Sequence, residues 1–137
     1  MDNITEKQQA IIDEFAIYDD WMDKYEYIIS LGKDLPLISQ NYKTDDRLIK
    51  GCQSRVWLHA EMEDGKMKYS ADSDAIITKG IIALLIRVLD DEKPADIAKC
   101  DLAFIKEIGL QEHLSPTRSN GLVSMVKQMK MEALKNA

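Results

Sequence analysis

Arg55-Val56-Trp57-Leu58-His59-Ala60-Glu61-Met62, then Glu63-Asp64-Gly65-Lys66, then Met67-Lys68-Tyr69-Ser70-Ala71, is the stretch that sets the fold class. Its residues alternate, with Val56, Leu58, Ala60 and Met62 on one face and Arg55, Trp57, His59 and Glu61 on the other. Met67, Tyr69 and Ala71 continue the same period after the interruption. A period of two is the signature of a half-buried strand, since successive side chains point to opposite faces. Asp64-Gly65 between two such runs predicts an antiparallel hairpin, because a type I′ turn needs positive φ at both central residues. Arg47–Ile49 is a candidate for a short extra strand.

On both sides of the hairpin the period changes to that of helices. Downstream, Asp72-Ser73-Asp74 supplies a helix cap, and Ala75 to Leu89 is apolar on most of its circumference, so this is the expected central buried helix. Gly80 in its middle costs roughly 1 kcal/mol against alanine, which points to close backbone packing there. Asp90, Asp91 and Pro94 end it, and 94–108 reads as short helical pieces with Ile97, Leu102, Phe104 and Ile105 as core. Ser115-Pro116 opens a last helix, serine as cap and proline at its first position, with Leu122, Met125, Val126 and Met129 as its stripe. Upstream, Thr5-Glu6-Lys7-Gln8 has capping-box spacing and is expected to open a helix carrying Ile11, Ile12 and Phe15. Asp19 or Asp20 caps a second helix with Trp21, Tyr25, Ile28 and Ile29 inward, and Gly32 is its expected terminator. Leu35-Pro36 begins an irregular polar stretch to about Arg47. Helices around a small antiparallel sheet make an α+β domain, and nothing divides the 137 residues, so one domain over 1–137 is expected.

Composition narrows the function. Eighteen basic against 24 acidic side chains give a net charge of −6, which argues against a nucleic-acid partner. The longest apolar run, Ile81 to Ile86, is far short of the ~20 residues that span a bilayer, so no membrane association is expected. The acidic start, Met1-Asp2-Asn3-Ile4-Thr5-Glu6, does not read as a signal peptide, and two cysteines make no disulfide framework; a cytoplasmic, reducing compartment is expected. Two cysteines and two histidines at scattered positions match no common zinc spacing, and the glycines form no phosphate loop.

Gly51-Cys52-Gln53-Ser54 leads into the hairpin as a glycine-bent loop with a cysteine followed by polar residues. Two readings stand: a projecting, reactive thiol, or a small apolar side chain capping the core. A reactive thiol needs cationic or hydrogen-bonding neighbours, and Lys50, Arg55, His113 and Arg118 are the candidates. Cys100, among Ile97 and Phe104, reads as structural, and spacing gives no support to a Cys52–Cys100 disulfide. His59 alternates outward on its strand as a solvated or edge residue, whereas His113 precedes the last helix as a polar helix-start contact. Arg118 opposes the macrodipole at a helix start, so it is expected to be tied either to Asp72 or Asp74, or to a docking protein or the Cys52 sulfur. A Cys–His hydrolase would need an oxyanion hole, for which no signature exists here.

Four segments, taken in order, resemble the SufE/CsdE family of sulfur acceptor proteins: Trp21–Pro36, Lys50-Gly51-Cys52-Gln53-Ser54-Arg55-Val56-Trp57, Asp72–Ile81 and Gln111–Leu122. The resemblance spans nearly the whole chain and implies an α+β fold similar to IscU-type scaffolds. It implies docking onto a pyridoxal-phosphate cysteine desulfurase of the SufS/CsdA type, whose persulfide sulfur passes to Cys52. It further implies stimulation of that desulfurase and delivery of sulfur to a Suf-type scaffold or other acceptor for iron–sulfur cluster assembly, with no cofactor or metal of the chain's own. By the same resemblance Gly51, Gln53, Ser54, Arg55, Asp74, His113 and Arg118 shape the site or bind partners. Arg55 fills a variable slot of the cysteine motif, and Cys100 matches no motif position. The alternative is a desulfurase-binding activator that carries no sulfur itself.

Overall fold

The hairpin forms as the alternation requires. In the computed structural model, which describes residues 3–35 and 38–137, β1 (Val56–Glu63) pairs antiparallel with β2 (Lys66–Ser73), with Leu58 opposite Ala71 and Ala60 opposite Tyr69. Asp64 (φ +54°) and Gly65 (φ +79°) make the turn, both with the positive φ that a type I′ geometry needs. Val56, Leu58, Met67, Tyr69 and Ala71 are buried on one face. The candidate strand at 47–49 reduces to a single bridge, Leu48 to Trp57, because the chain enters and leaves through turns.

Against the buried face lies α3 (Ile76–Leu89), whose Ile77, Ile81, Ile82, Leu84, Leu85, Val88 and Leu89 are all at most 2% exposed. A helix apolar around its girth must be covered on every side, and α1 (Asn3–Phe15), α2 (Trp21–Lys33), α7 (Pro116–Asn136) and β2 all pack on it. The short helices α4 (Pro94–Lys99), α5 (Phe104–Glu107) and α6 (Leu110–His113) carry the chain from α3 to α7, contributing Ile97, Phe104 and Leu110 to the core. The expected α+β class is the one observed. No described helix is long and apolar enough to cross a membrane.

Helix ends follow the sequence where capping chemistry is local and depart from it where packing intervenes. Asp20 caps α2 by accepting from the Asp23 amide, and Ser115 caps α7 by accepting from the Arg118 amide with Pro116 at the first position. Thr5, by contrast, does not open α1: the helix already runs from Asn3, because Ile4 is buried in the core and draws the first turn in. Gly32 is no terminator but lies buried inside α2, with Asp34 as C-cap; its missing side chain lets α2 touch α3 at Gly80. The expected cap of α3 is also displaced. Asp72 and Ser73 belong to β2, and Ala75 is the N-cap with no side-chain bond of its own. The Pro36 boundary lies outside the described residues; beyond it the polar stretch holds two single 3-10 turns, Gln40–Tyr42 and Asp45–Arg47.

Asp72 is used differently from the cap the sequence suggests. Its buried carboxylate holds Lys43 (2.6 Å) and Lys79 (3.3 Å) and accepts from the Ser73 amide, tying the 3-10 segment, the sheet and α3 together. Burial alone pushes this carboxyl up, but the hydrogen bonds from Lys43, Ser73 and Lys79 outweigh it, and the net shift is downward. A carboxylate with a lowered native value stabilises fully above its unfolded value of about 3.9, and that stabilisation is lost as pH falls through the lowered native value. Urea unfolding of wild type and Asp72→Asn is therefore expected to differ most near neutrality, the gap closing as pH falls below about 4. A gap independent of pH would contradict this.

Candidate functional site

The loop that joins the 3-10 segment to β1 is built around a glycine. Gly51 takes φ +89°, and a Cβ there would collide with Ser124 Oγ on α7 and meet Ser124 Cβ at 3.4 Å, so no other residue turns the chain here without strain. The stem is held by the Ile49 amide donating to Val56 O (2.9 Å) and by Ser73 and Asp74 at the junction of β2 and α3. Asp74 Oδ1 accepts from the Arg55 amide (3.1 Å), the Asp74 amide donates to Arg55 O (3.2 Å), and Ser73 Oγ donates to the same carbonyl (2.8 Å). Asp74 thus clamps the backbone three residues beyond Cys52.

Cys52 follows Gly51 and is half-buried, its thiol donating to the Gly121 carbonyl of α7 at 3.6 Å. The helix comes close here: a Cβ at Gly121 would stand 3.5 Å from the sulfur, in ordinary van der Waals contact. The sulfur borders a cavity of about 110 Å³ between the loop and two helices. The loop contributes Cys52, Gln53 and Ser54; α3 contributes Thr78 and Ile81; α7 contributes Thr117, Arg118, Gly121 and Met125. Burial pushes the Cys52 thiol above its ordinary value, so at neutral pH the resting sulfur is protonated.

Of Lys50, Arg55, His113 and Arg118, the candidates for thiol neighbours, only Arg118 is among the residues lining this cavity. Its guanidinium Nη1 donates to Tyr25 Oη (2.9 Å) rather than pairing with Asp72 or Asp74, since Asp72 is occupied by Lys43 and Lys79 and Asp74 by the Arg55 backbone. His113 is exposed at the end of α6, stacked on Trp21 with ring centroids 4.4 Å apart, and its Nδ1 donates to Gly109 O (2.8 Å). Tyr25 and Trp21 of α2 therefore support two of the residues picked out near the last helix. Arg55 is exposed, and its backbone rather than its side chain carries the contacts to Asp74 and Ser73.

Elsewhere the sequence expectations fare unevenly. His59 is not a solvated edge residue: it stacks on Tyr42 with centroids 3.7 Å apart and accepts from Arg47 Nε at Nδ1 (3.2 Å), because the 3-10 turns fold back over the outer face of β1. Both cysteines are reduced; Cys100 Sγ donates to Ile97 O (3.2 Å) at the end of α4, and Lys130 Nζ binds its carbonyl. Among the described residues no three His, Cys, Asp or Glu side chains gather to hold a metal ion. Thr78 and Gly121 were not singled out as site residues beforehand. Their signals are local: a hydroxyl on the apolar face of α3, one turn before Ile81 and Ile82, and a glycine inside a helix.

The fold and the site together define a small α+β domain that presents one glycine-hinged cysteine over a cavity between two helices. A family model described as SufE, Fe-S metabolism associated domain, matches residues 9–133, and the chain belongs to that family. An uncharacterized SufE-like protein of Rhizobium meliloti (strain 1021) is 41% identical over 128 residues, 90% of this chain and 91% of that one. SufE-like protein 1, chloroplastic/mitochondrial, of Arabidopsis thaliana is 36% identical over 135 residues, 98% of this chain but 36% of that longer protein. The solution structure of a hypothetical protein from Thermus thermophilus superposes with a TM-score of 0.78 over 95% of each chain at 20% identity, a likeness of fold.

Proposed function

We propose that this chain, acting as one domain over residues 1–137 in the cytoplasm, accepts sulfur on Cys52 from a pyridoxal-phosphate cysteine desulfurase of the SufS/CsdA type. It stimulates that enzyme by removing its sulfur and passes the sulfur to a Suf-type scaffold or other acceptor for iron–sulfur cluster assembly. The observation that supports this best is the placement of Cys52: the thiol of the Gly-Cys-Gln-Ser motif packs against the core on one side and borders a cavity on the other. In the reaction the Cys52 thiolate attacks the outer sulfur of the donor's persulfide. The donor's sulfur–sulfur bond breaks, a new one forms at Cys52, and the donor cysteine leaves as thiolate, so the sulfane sulfur moves without net oxidation. Gly51 provides the turn, Gln53 and Ser54 line the cavity, Asp74 clamps Arg55 and hence the loop stem, and exposed His113 and Arg118 belong to the partner-facing surface.

One observation favours the second reading, an activator that carries no sulfur: the resting thiol is half-buried and its ionisation is suppressed. Intact-protein mass after incubation with an active desulfurase and free cysteine separates the two. Gain of one sulfur atom, reversed by reductant, is the expected result. Stimulated turnover with no mass gain would favour the activator.

A further inference from the structure

Four polar side chains are buried among the described residues: Gln8, Asp72, Thr78 and Glu92. Three are fully engaged. Gln8 binds the backbone of Asp101 and Phe104, Asp72 holds two lysines, and Glu92 pairs with Lys7 at 2.6 Å. Thr78, 6% exposed, has no hydrogen-bond partner for its hydroxyl among the described residues. A helical threonine ordinarily back-bonds to a carbonyl three or four residues earlier, and a hydroxyl that does not is free to turn toward an acceptor beside it; the one sealed side-chain atom without a partner among the described residues is His59 Nε2. Thr78 sits between Ile77 and Ile81 on α3, and it lines the cavity that Cys52 borders.

We propose that the Thr78 hydroxyl donates a hydrogen bond to the sulfur carried on Cys52, making this cavity a binding site for an anionic sulfane sulfur. The inference rests on the reading of Cys52 as the acceptor and deepens it. The cavity of about 110 Å³ exceeds the roughly 10–15 Å³ that a single water-sized occupant needs, so one added sulfur atom fits without opening the helices. A persulfide is a stronger acid than a thiol, so the outer sulfur is an anion, and burial penalises an anion unless donors face it. The other elements around the sulfur offer one charged group, Arg118 of α7, whose Nη1 is committed to Tyr25. The loop and the rest of α7 add three further donors, Gln53, Ser54 and Thr117, of which Gln53 and Thr117 are exposed to water and Ser54 is partly so, whereas Thr78 is buried. A hydroxyl rotates freely to whichever acceptor arrives, and a hydrogen bond to a charged acceptor is about twice as strong as a neutral one.

The test compares wild type, Thr78→Val and Thr78→Ser as full chains. Cys52 is first loaded with sulfur by the desulfurase, and iodoacetamide alkylation of the loaded Cys52 peptide is followed by mass spectrometry across pH, together with the loss of that sulfur to excess thiol. Thr78→Val is expected to raise the midpoint of the alkylation profile by about one pH unit, to slow alkylation below it about tenfold, and to shed loaded sulfur about tenfold faster. Thr78→Ser keeps the hydroxyl and is expected to follow wild type. Thr78→Val preserves the branched shape and removes an unpartnered hydroxyl, so its melting temperature should not fall; Thr78→Ala serves as a second hydroxyl-free variant if valine disturbs the helix. A valine profile that coincides with wild type, or a serine variant that behaves like valine, overturns the proposal. Failure of wild type to take up sulfur from an active desulfurase overturns the acceptor reading instead, and loading Cys52 chemically with polysulfide still decides whether Thr78 contacts the outer sulfur.

Discussion

Cys52→Ser is expected to take up no sulfur at all when mixed with an active desulfurase and cysteine, while Cys100→Ser gains one sulfur atom as wild type does. The argument is chemical first: a hydroxyl is not ionised at neutral pH and does not attack a persulfide, so the substitution removes the nucleophile while keeping a side chain of similar size. It is geometric second. Cys52 borders the cavity with its sulfur 3.6 Å from the Gly121 carbonyl, whereas Cys100 turns its sulfur onto Ile97 O at the end of α4. Stability should change by less than about 1 kcal/mol, since Cys52 is half-buried and serine can donate to the same carbonyl. Circular dichroism melts would verify that. Sulfur uptake by Cys52→Ser that disappears only with Cys100→Ser would overturn the assignment of the acceptor.

The largest stability effect is expected at Gly80. A glycine inside a helix ordinarily gains about 1 kcal/mol on replacement by alanine. Here the sign reverses. A Cβ on Gly80 would lie 2.8 Å from the carbonyl carbon of Ile28 and 2.7 Å from its Cγ2, and closer still to the carbonyl oxygen. From the other side, a Cβ on Gly32 would meet the Gly80 nitrogen at 2.8 Å. These neighbours are mostly backbone, which cannot rotate away, so α2 and α3 would have to separate along their contact. Overpacking of this kind costs about 3 kcal/mol, leaving a net loss of about 2 kcal/mol or more after the propensity gain. Gly80→Ala should melt about 5–10 °C below wild type. A melting temperature equal to or above wild type would show that the two helices do not meet as described.

What was legible in the sequence was whatever depends on a few neighbouring residues. The period of two in 55–62, the Asp64-Gly65 turn, the apolar girth of α3 and the Ser115-Pro116 start each follow from local sterics and patterning. Gly80 was read as a close approach for a local reason too, the propensity it sacrifices. The misreadings share a cause. Thr5, Gly32 and Asp72-Ser73-Asp74 all carry capping residues, but burial of Ile4, the touch of α2 on α3 and the length of β2 each override the local preference. His59 was assigned outward correctly by parity, yet parity says nothing about the 3-10 turns that fold over it.

The same division runs through the site. That Cys52 lies on a glycine-bent loop, inside a motif shared with the SufE family, is a property of consecutive residues and needed no coordinates. The surroundings of its sulfur are contributed by segments far apart in the chain: Thr78 from α3 and Arg118 and Gly121 from α7, with Tyr25 of α2 engaging Arg118. A side chain's ionisation and reach depend on what is within a few ångströms in space, and residues 26 and 69 positions away in sequence, as Thr78 and Gly121 are from Cys52, come within that range only once α3 and α7 have docked on the hairpin. Sequence alone therefore singled out Cys52 as the proposed acceptor and determined the α+β frame around it. Tertiary packing decided that burial holds the thiol above its ordinary value, that Arg118 answers to Tyr25, and that Thr78, its hydroxyl without a partner, lines the sulfur's cavity.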